Sequence, residues 1–350
     1  LEFVNFCDLE TVLVTGGTGY IGSHTAVELI SKGYKVVIID NLSNSSVEVL
    51  DGIQAITGIK PVFEKVDMVN TDELDAVLSR HKDIRHVIHF AAAKAVGESV
   101  AKPLKYYKNN LISLINLLNS MITHKIPNLV FSSSCTVYGQ PDVLPVTEQA
   151  PIKPATSPYG NTKQMCEEII RDTILANYPV KAIALRYFNP IGAHPSAHIG
   201  ELPLGVPDNL VPFITQTAYG LRPALKVFGN DYNTPDGSCI RDYINIVDLA
   251  LAHVTAIGRL ETNKNKKPME VFNLGTGKGI SVLEIIDSFE RSTGIKLNYE
   301  IVGRRPGDIE QVWADTSLAN SELGWKAERT LDETLLSAWN WETKYRSRKK

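Results

Sequence analysis

The sequence predicts an α/β fold: a doubly wound parallel sheet with a smaller C-terminal α/β domain. Two observations carry the prediction. Short apolar runs alternate with amphipathic stretches throughout the first half, the pattern of strand–helix–strand units. A glycine-rich turn, TGGTGYIGSH, joins the first apolar run to the first amphipathic one. Length agrees, since 350 residues exceed the usual single-domain size of roughly 100–200 and leave room for a substrate-binding part. With 43% apolar and 21% charged residues, the composition excludes a disordered or fibrous chain.

Taken in order, TVLVTG (11–16) reads as a buried strand, TAVELISKG (25–33) as a helix ending at Gly33, and YKVVIID (34–40) as the second strand. Asn70 or Thr71 caps the helix NTDELDAVLSR, and HVIHFAA (86–92) is a further apolar strand. Residues 104–124 place Leu111, Ile115, Leu118 and Ile122 at helical spacing. NLVFSSS (128–134) is a strand, and Ser157 followed by Pro158 starts a helix whose apolar residues include Met165, Ile169 and Ile170. AIALRYFN (182–189) completes this half. The chain then turns irregular and rich in Pro and Gly over 190–209 and 229–239; loops of that length in a compact protein commonly bind ligands. Two units follow at 240–257 and 270–290, the second with a Ser281/Glu284 capping box, then a strand at 296–302 and a closing helix carrying Trp339 and Trp341.

The glycine turn has a function beyond turning. Gly16, Gly19 and Gly22 lie at three-residue spacing between a strand and a helix, where glycines admit a close backbone approach and the helix N-terminus faces a pyrophosphate. Asp40 ends the next strand, placed to accept hydrogen bonds from the adenosine ribose hydroxyls. Its carboxylate repels a 2′-phosphate and no arginine stands nearby, so the expected cofactor is NAD rather than NADP. The fold expectation becomes a Rossmann-type NAD-binding domain over 1–189, with 240–260 returning to it, and a mainly substrate-binding domain over 190–350. A second cluster, LGTGKG (274–279), has G-x-G-x-G spacing without a following acidic strand end, and reads as a structural turn.

The formal charge of −3 gives no general attraction to nucleic acid or anionic lipid, and the basic RSRKK run at the C-terminus reads as a solvated tail. Cys7, Cys135, Cys166 and Cys239 are far apart in sequence, so neither a metal site nor a disulfide framework is expected. No apolar run approaches the roughly 18 residues of a membrane span, and no secretory signal pattern opens the chain; a cytoplasmic protein with reduced thiols is expected.

SPYGNTK (157–163) sets Tyr159 and Lys163 one helical turn apart on a shared face. Either this is a capped helix start with a surface pair, or an acid–base couple. Lowering a tyrosine from its usual pKa of about 10 to near neutrality is worth roughly 4 kcal/mol, which a neighbouring ammonium and an oxidised nicotinamide can supply. Ser134, ending its strand just upstream, offers a hydroxyl to relay the same proton.

TGGTGYIGSH, HFAAAKAVGES, FSSSCTVYG, SPYGNTK, RYFNPIGAHPS and FGNDYNTPDGSCIRDY together resemble the UDP-glucose (UDP-galactose) 4-epimerases of the extended short-chain dehydrogenase/reductase family, over residues 11 to about 341. The resemblance implies Tyr159 as base, Ser134 as the hydroxyl bridging base and sugar O4, and Lys163 as the group that lowers the tyrosine and binds nicotinamide ribose. Around NAD it implies Tyr20 and Ile21 at the pyrophosphate, and Asp40, Asn41, Leu42, Ser43, Asn44 and Ser45 at the adenosine. Asp67 and Met68 follow at the adenine, then Phe90, Ala91, Ala92, Lys94, Asn109 and Phe188. For the nucleotide sugar it implies Asn189, Asn209, Leu210, Lys226 and Phe228, with the forked guanidinium groups of Arg241 and Arg305 on the diphosphate and Asp308 on the uridine ribose. Read without it, both arginines are ordinary surface charges.

The implied reaction takes the proton from the sugar 4-hydroxyl while hydride passes from C4 to NAD, lets the 4-keto sugar turn over, and returns hydride to the other face. A nucleotide-sugar 4,6-dehydratase is the nearest rival. Dehydratases of this kind carry Asp-Glu after the serine-rich strand, where this chain has Cys135-Thr136. A non-catalytic NAD-sensing protein is the other alternative, and such proteins commonly lack the tyrosine or lysine present here. Val312 matches a position that is tyrosine in epimerases restricted to glucose and galactose and smaller in those accepting N-acetylated sugars, so UDP-GlcNAc and UDP-GalNAc become candidate substrates. The resemblance also implies a homodimer through helices of the first domain, including 104–124.

Overall fold

Seven strands pair in parallel to form the central sheet of the computed structural model, which describes residues 10–305 and 308–348. Cys7, Lys349 and Lys350 lie outside the described residues. The first half runs β1 (Thr11–Thr15), α1 (Tyr20–Ser31), β2 (Lys35–Asp40), α2 (Val49–Thr57), β3 (Val62–Lys65), α3 (Thr71–Arg80) and β4 (Ile84–His89). It continues through α4 (Val96–Ala101), α5 (Pro103–Thr123), β5 (Asn128–Ser134), α6 (Pro158–Leu175) and β6 (Lys181–Tyr187). The strand Met269–Leu274 pairs with β6 and starts the sheet, followed by β6, β5, β4, β1, β2 and β3. Helices cover both faces, which is why the central strands are continuous apolar runs rather than alternating ones. Val12 and Val14 pack with α1 and the helix Ile246–Glu261, whereas Leu13 between them joins α3, α5 and α6 on the other face.

The structure departs from the expected boundaries for local reasons. α1 begins at Tyr20 rather than at residue 25, because the glycine turn runs straight into the helix with Gly19 as its N-cap. β4 starts and ends earlier than the apolar run 86–92, at Ile84 and His89, leaving Phe90 to Ala92 as the loop above the sheet. β3 was not expected: it is the sheet edge, with Val62 exposed, so its sequence lacks the apolar signal of a buried strand. Asn70 caps α3 by accepting from the Asp72 amide, and the Ser281/Glu284 capping box is present.

A second core gathers Val211, Ile214, Leu225, Val227, Ile285, Phe289 and Leu335. Around it lie the paired strands Leu225–Phe228 and Tyr299–Val302 and the helices Leu210–Ala218, Val282–Thr293 and Leu331–Ser347. The LGTGKG turn wraps one of the protein's own carboxylates. Asp242 accepts from the Thr276 amide at 2.7 Å, the Thr276 hydroxyl at 2.7 Å and the Gly277 amide at 3.1 Å, so the turn is filled from within.

Candidate active site

The glycine turn, the end of β5 and the irregular loop after β6 open on one cleft of about 1980 Å³. Ligand pockets of a single small molecule commonly reach about 1,000 Å³, so this cleft has room for a dinucleotide and a nucleotide sugar together. It lies beyond the carboxyl ends of β1, β2, β4, β5 and β6, where an open parallel sheet binds ligands, at the β4/β1 position where strand order reverses.

The cofactor end is shaped by missing side chains. Gly16 has φ +66°, and a Cβ there would stand 2.8 Å from the Ala91 nitrogen; a Cβ on Gly22 would stand 2.4 Å from the Gly16 carbonyl oxygen. Backbone approach is therefore close, and the α1 N-terminus behind it carries no side-chain cap, leaving its amides toward the cleft. Asp40 is already engaged with its own loop: it accepts from the amides of Thr18 at 3.3 Å and Leu42 at 2.9 Å and from the Ser45 hydroxyl at 3.2 Å. These contacts hold the carboxylate at the cleft edge in the position expected of a ribose acceptor. Cradle, open helix end and acidic strand end together fit a bound NAD.

Ser134 ends β5, its hydroxyl accepting from the Thr136 amide at 3.2 Å. α6 starts where the sequence places it, with the Ser157 hydroxyl accepting from the Gly160 amide at 3.2 Å and Pro158 in the first turn. This start aims Tyr159 and Lys163 at β5. Lys163 Nζ donates to the Ser132 carbonyl at 2.6 Å and lies 4.9 Å from the centre of the Phe131 ring. It is 4% exposed, which excludes the surface-pair reading. Burial pushes its ammonium down to about 8, with Cys166 and Glu167 opposing. Burial drives the Tyr159 phenol above its ordinary value and Tyr187 adds to this, while a hydrogen bond with Ser134 pulls the other way.

At the substrate end, Asn189, Asn209, Leu210, Lys226, Phe228, Arg241, Arg305 and Asp308 all line the cleft. Arg305 forks onto Asp308, its Nη2 2.7 Å from Oδ1, and lies over the Phe228 ring. Arg241 donates to the Ile240 carbonyl at 2.8 Å. Of the cofactor residues, Gly16, Gly19, Tyr20, Ile21, Gly22, Asp40, Asn41, Ser43, Asn44, Ser45, Asp67, Met68, Phe90, Ala91, Ala92, Lys94, Asn109 and Phe188 line it as well. Two expected residues do not. Leu42 acts through its backbone amide on Asp40. Val312 is 5% exposed and packs with Val137, Tyr138, Val146 and Phe188, behind the wall rather than in it. The reason is register: the strand Gln311–Val312 pairs Val312 with Arg241, and it is Arg241 that reaches the cleft.

Sequence reasoning missed several lining residues, among them Thr156, Tyr187, Glu201 and Tyr243. Glu201 pairs with Asn209 at 2.6 Å and with Lys94 at 3.8 Å. Its place in the irregular 190–209 loop was the available signal; Tyr187, at the end of a strand buried from Ala182 onward, gave none.

A family profile described as GDP-mannose 4,6 dehydratase matches residues 13–337. The UDP-glucose 4-epimerase of Bacillus subtilis (strain 168) is 50% identical over 332 residues, covering 95% of this chain and 96% of that protein. That of Dictyostelium discoideum is 49% identical over 334 residues, covering 95% and 96%. The chain belongs to the UDP-glucose 4-epimerase family. A crystal structure of the Stenotrophomonas maltophila UDP-glucose-4-epimerase, with bound NAD and formylated UDP-arabinopyranose, matches with a TM-score of 0.93 at 47% identity, covering 97% of this chain and 100% of that one. Within the epimerase family the dehydratase profile marks the wider extended short-chain dehydrogenase/reductase group, and Cys135-Thr136 after β5 lacks the carboxylates that elimination of water needs.

Proposed function

We propose that this cleft performs reversible C4 epimerisation of UDP-glucose and UDP-galactose through a 4-keto sugar, with Tyr159, Ser134 and Lys163 as its working groups and NAD as resident cofactor. The chain is an NAD-dependent isomerase. The observation that carries the residue assignment is a buried lysine and a half-buried tyrosine converging on the end of β5, inside the same cleft as the glycine cradle.

NAD would be held by the backbone of Gly16 to Gly22, Asp40 and its loop, Asp67, Met68, Phe90 to Ala92, Lys94, Asn109 and Phe188. When bound, it supplies a reversible two-electron acceptor at the sugar C4. The Tyr159 phenolate takes the O4 proton, becoming the neutral phenol, and later returns it, with Ser134 as the bridge between phenolic and sugar oxygens. Because burial opposes the phenolate, a positive charge must offset it, and Lys163 with a value of about 8 is protonated at neutral pH. Arg241 and Arg305 grip the diphosphate, and Asp308, now held by Arg305, is positioned for the uridine ribose. Anchoring the UDP while leaving the sugar loosely held lets the ketone present either face. The same reading extends to N-acetylated sugars, supported by the small Val312 behind Phe188.

Tyr159→Phe tests the assignment. UDP-galactose turnover without added NAD should fall about 10²–10⁴-fold, with NAD content and UDP affinity retained. A variant as fast as the parent overturns the reading.

The same proposal includes the division into a dinucleotide-binding part over 1–189 with 240–260 and a mainly substrate-binding part over 190–350, from which the strand Met269–Leu274 returns to the first sheet, together with a homodimer and a cytoplasmic location. The exposed Val100, Leu104 and Ile115 on α4 and α5 support the dimer, and a monomer mass in sedimentation would refute it. Among the described residues Cys135, Cys166 and Cys239 are free thiols, which suits a reducing compartment; finding the protein secreted would remove that part. Among the described residues no helix is long and apolar enough to cross a membrane.

A further inference from the structure

The closing helix Leu331–Ser347 grips one wall of the cleft. Ser337 Oγ accepts from the Ala193 amide at 3.0 Å, Trp341 Nε1 donates to the Glu201 carbonyl at 3.0 Å, and Lys344 Nζ donates to the Ser196 carbonyl at 2.8 Å. These side chains are four and three residues apart, so one helix face holds the irregular loop that follows β6. Nothing larger than glycine fits under the indole, since a Cβ on Gly200 would stand 2.4 Å from Trp341 Cγ. The backbone of Glu201 is thereby fixed at its own carbonyl and at the residue before it.

Glu201 lines the cleft, its side chain only 11% exposed. Its Oε1 accepts from Asn209 Nδ2 at 2.6 Å and stands 3.8 Å from Lys94 Nζ. Burial pushes the carboxyl up, while Lys94 and Asn209 oppose this. Asn209 is the N-cap of the helix Leu210–Ala218, yet its side chain makes no capping bond there. An asparagine in that position ordinarily turns its oxygen onto its own helix. Here the side chain is drawn to Glu201 instead, whose carboxylate stands between Asn209 on one side and Lys94 on the other.

We propose that Trp341 and Glu201 are positioning residues for the sugar-nucleotide end of the cleft: the indole sets the Glu201 backbone, and the carboxylate holds the Asn209 amide toward the cleft with Lys94 beside it. This rests on the reading of Asn209 as a contact of the sugar nucleotide and of Lys94 as a contact of NAD. Both positioning residues act through Asn209 rather than on the reacting atoms. Their effect falls on the anchoring of the UDP, which must stay firm while the ketose turns. With Glu201 removed, Asn209 is free to fall back onto its own helix. The diphosphate then meets an unordered donor and bears the cost of ordering it. No motif joins positions 94, 201, 209 and 341, which only packing unites.

The test titrates UDP into the NAD-bound full chain by calorimetry and follows UDP-galactose turnover without added NAD. Glu201→Leu should weaken UDP binding about tenfold and raise KM more than it lowers kcat, because a hydrogen bond to a charged group is lost. Glu201→Gln, which still accepts from Asn209, should stay within about threefold of the parent. Trp341→Phe, which keeps a ring against Gly200 but loses the N–H, should weaken UDP binding about threefold. In an Asn209→Ala background, where UDP binding is already weakened, Glu201→Leu should add nothing further, the mark of two residues acting as one unit. Full additivity in that cycle, or equal losses for Glu201→Gln and Glu201→Leu, overturns the proposal and leaves Glu201 as a structural group. A Trp341→Phe protein with a lower Tm and unchanged UDP affinity overturns the part given to Trp341. If Asn209→Ala binds UDP like the parent, the assignment of Asn209 to the sugar nucleotide fails and takes this proposal with it. If Asn209→Ala binds weakly and Glu201→Leu binds like the parent, this proposal alone fails.

Discussion

Tyr159 and Lys163 share a face of α6, and burial treats them in opposite senses: it resists the phenolate and it resists the ammonium. The lysine's folded value of about 8 lies below its ordinary 10.5, so below pH 8 both folded and unfolded chains hold the proton and the folded one bears a buried charge. Between pH 8 and 10.5 the folded state releases the proton first, and stability rises with pH relative to a Lys163→Met protein. Urea unfolding of both proteins at several pH values checks this; a difference that is constant across that window refutes it. Val312 makes a second prediction at this scale. A tyrosine there must push on Phe188, which lines the cleft, so Val312→Tyr should suppress turnover of UDP-GalNAc while sparing UDP-galactose. Equal loss of both activities would mean that the residue only packs.

The helix α6 depends on its first turn. Ser157 accepts from the Gly160 amide, and Pro158 presets the first helical φ, so the two residues before Tyr159 fix where it points. Ser157→Ala should cost about 1 kcal/mol of stability and lower kcat more than it raises KM, as chemical denaturation and steady-state kinetics would show. This element was fully legible, because caps and glycine turns are local chemistry. The glycine cradle was legible for the same reason, although the helix read from residue 25 in fact begins at Tyr20. β3 was not legible, since an edge strand with an exposed Val62 carries no burial signal.

Across the whole molecule, a buried ion pair links α6 to β6 beneath the working groups. Arg186 donates to Glu167 through Nε at 2.9 Å and through Nη2, Ser133 donates to the same carboxylate at 2.6 Å, and Arg186 Nη1 reaches Tyr138 at 2.9 Å. Tyr138 passes the network to Asn273 on the first strand of the sheet. Arg186→Met should therefore destabilise by about 3–5 kcal/mol by stranding a buried carboxylate, and adding Glu167→Gln should recover part of it; a drop below 1 kcal/mol in denaturant titration would contradict this. None of this pair was read from sequence, because its partners lie on separate elements. By itself the sequence determined the parallel sheet, the cofactor turn and the shared helix face of Tyr159 and Lys163, all of which rest on spacing along the chain, whereas the burial of Lys163 against β5 came from packing. Tertiary structure alone decided that Met269–Leu274 joins the first sheet, that Val312 stands behind the cleft wall, and that Trp341, Glu201 and Asn209 meet. Those outcomes depend on strand register and on which face each neighbour covers, quantities that exist only once distant segments pair.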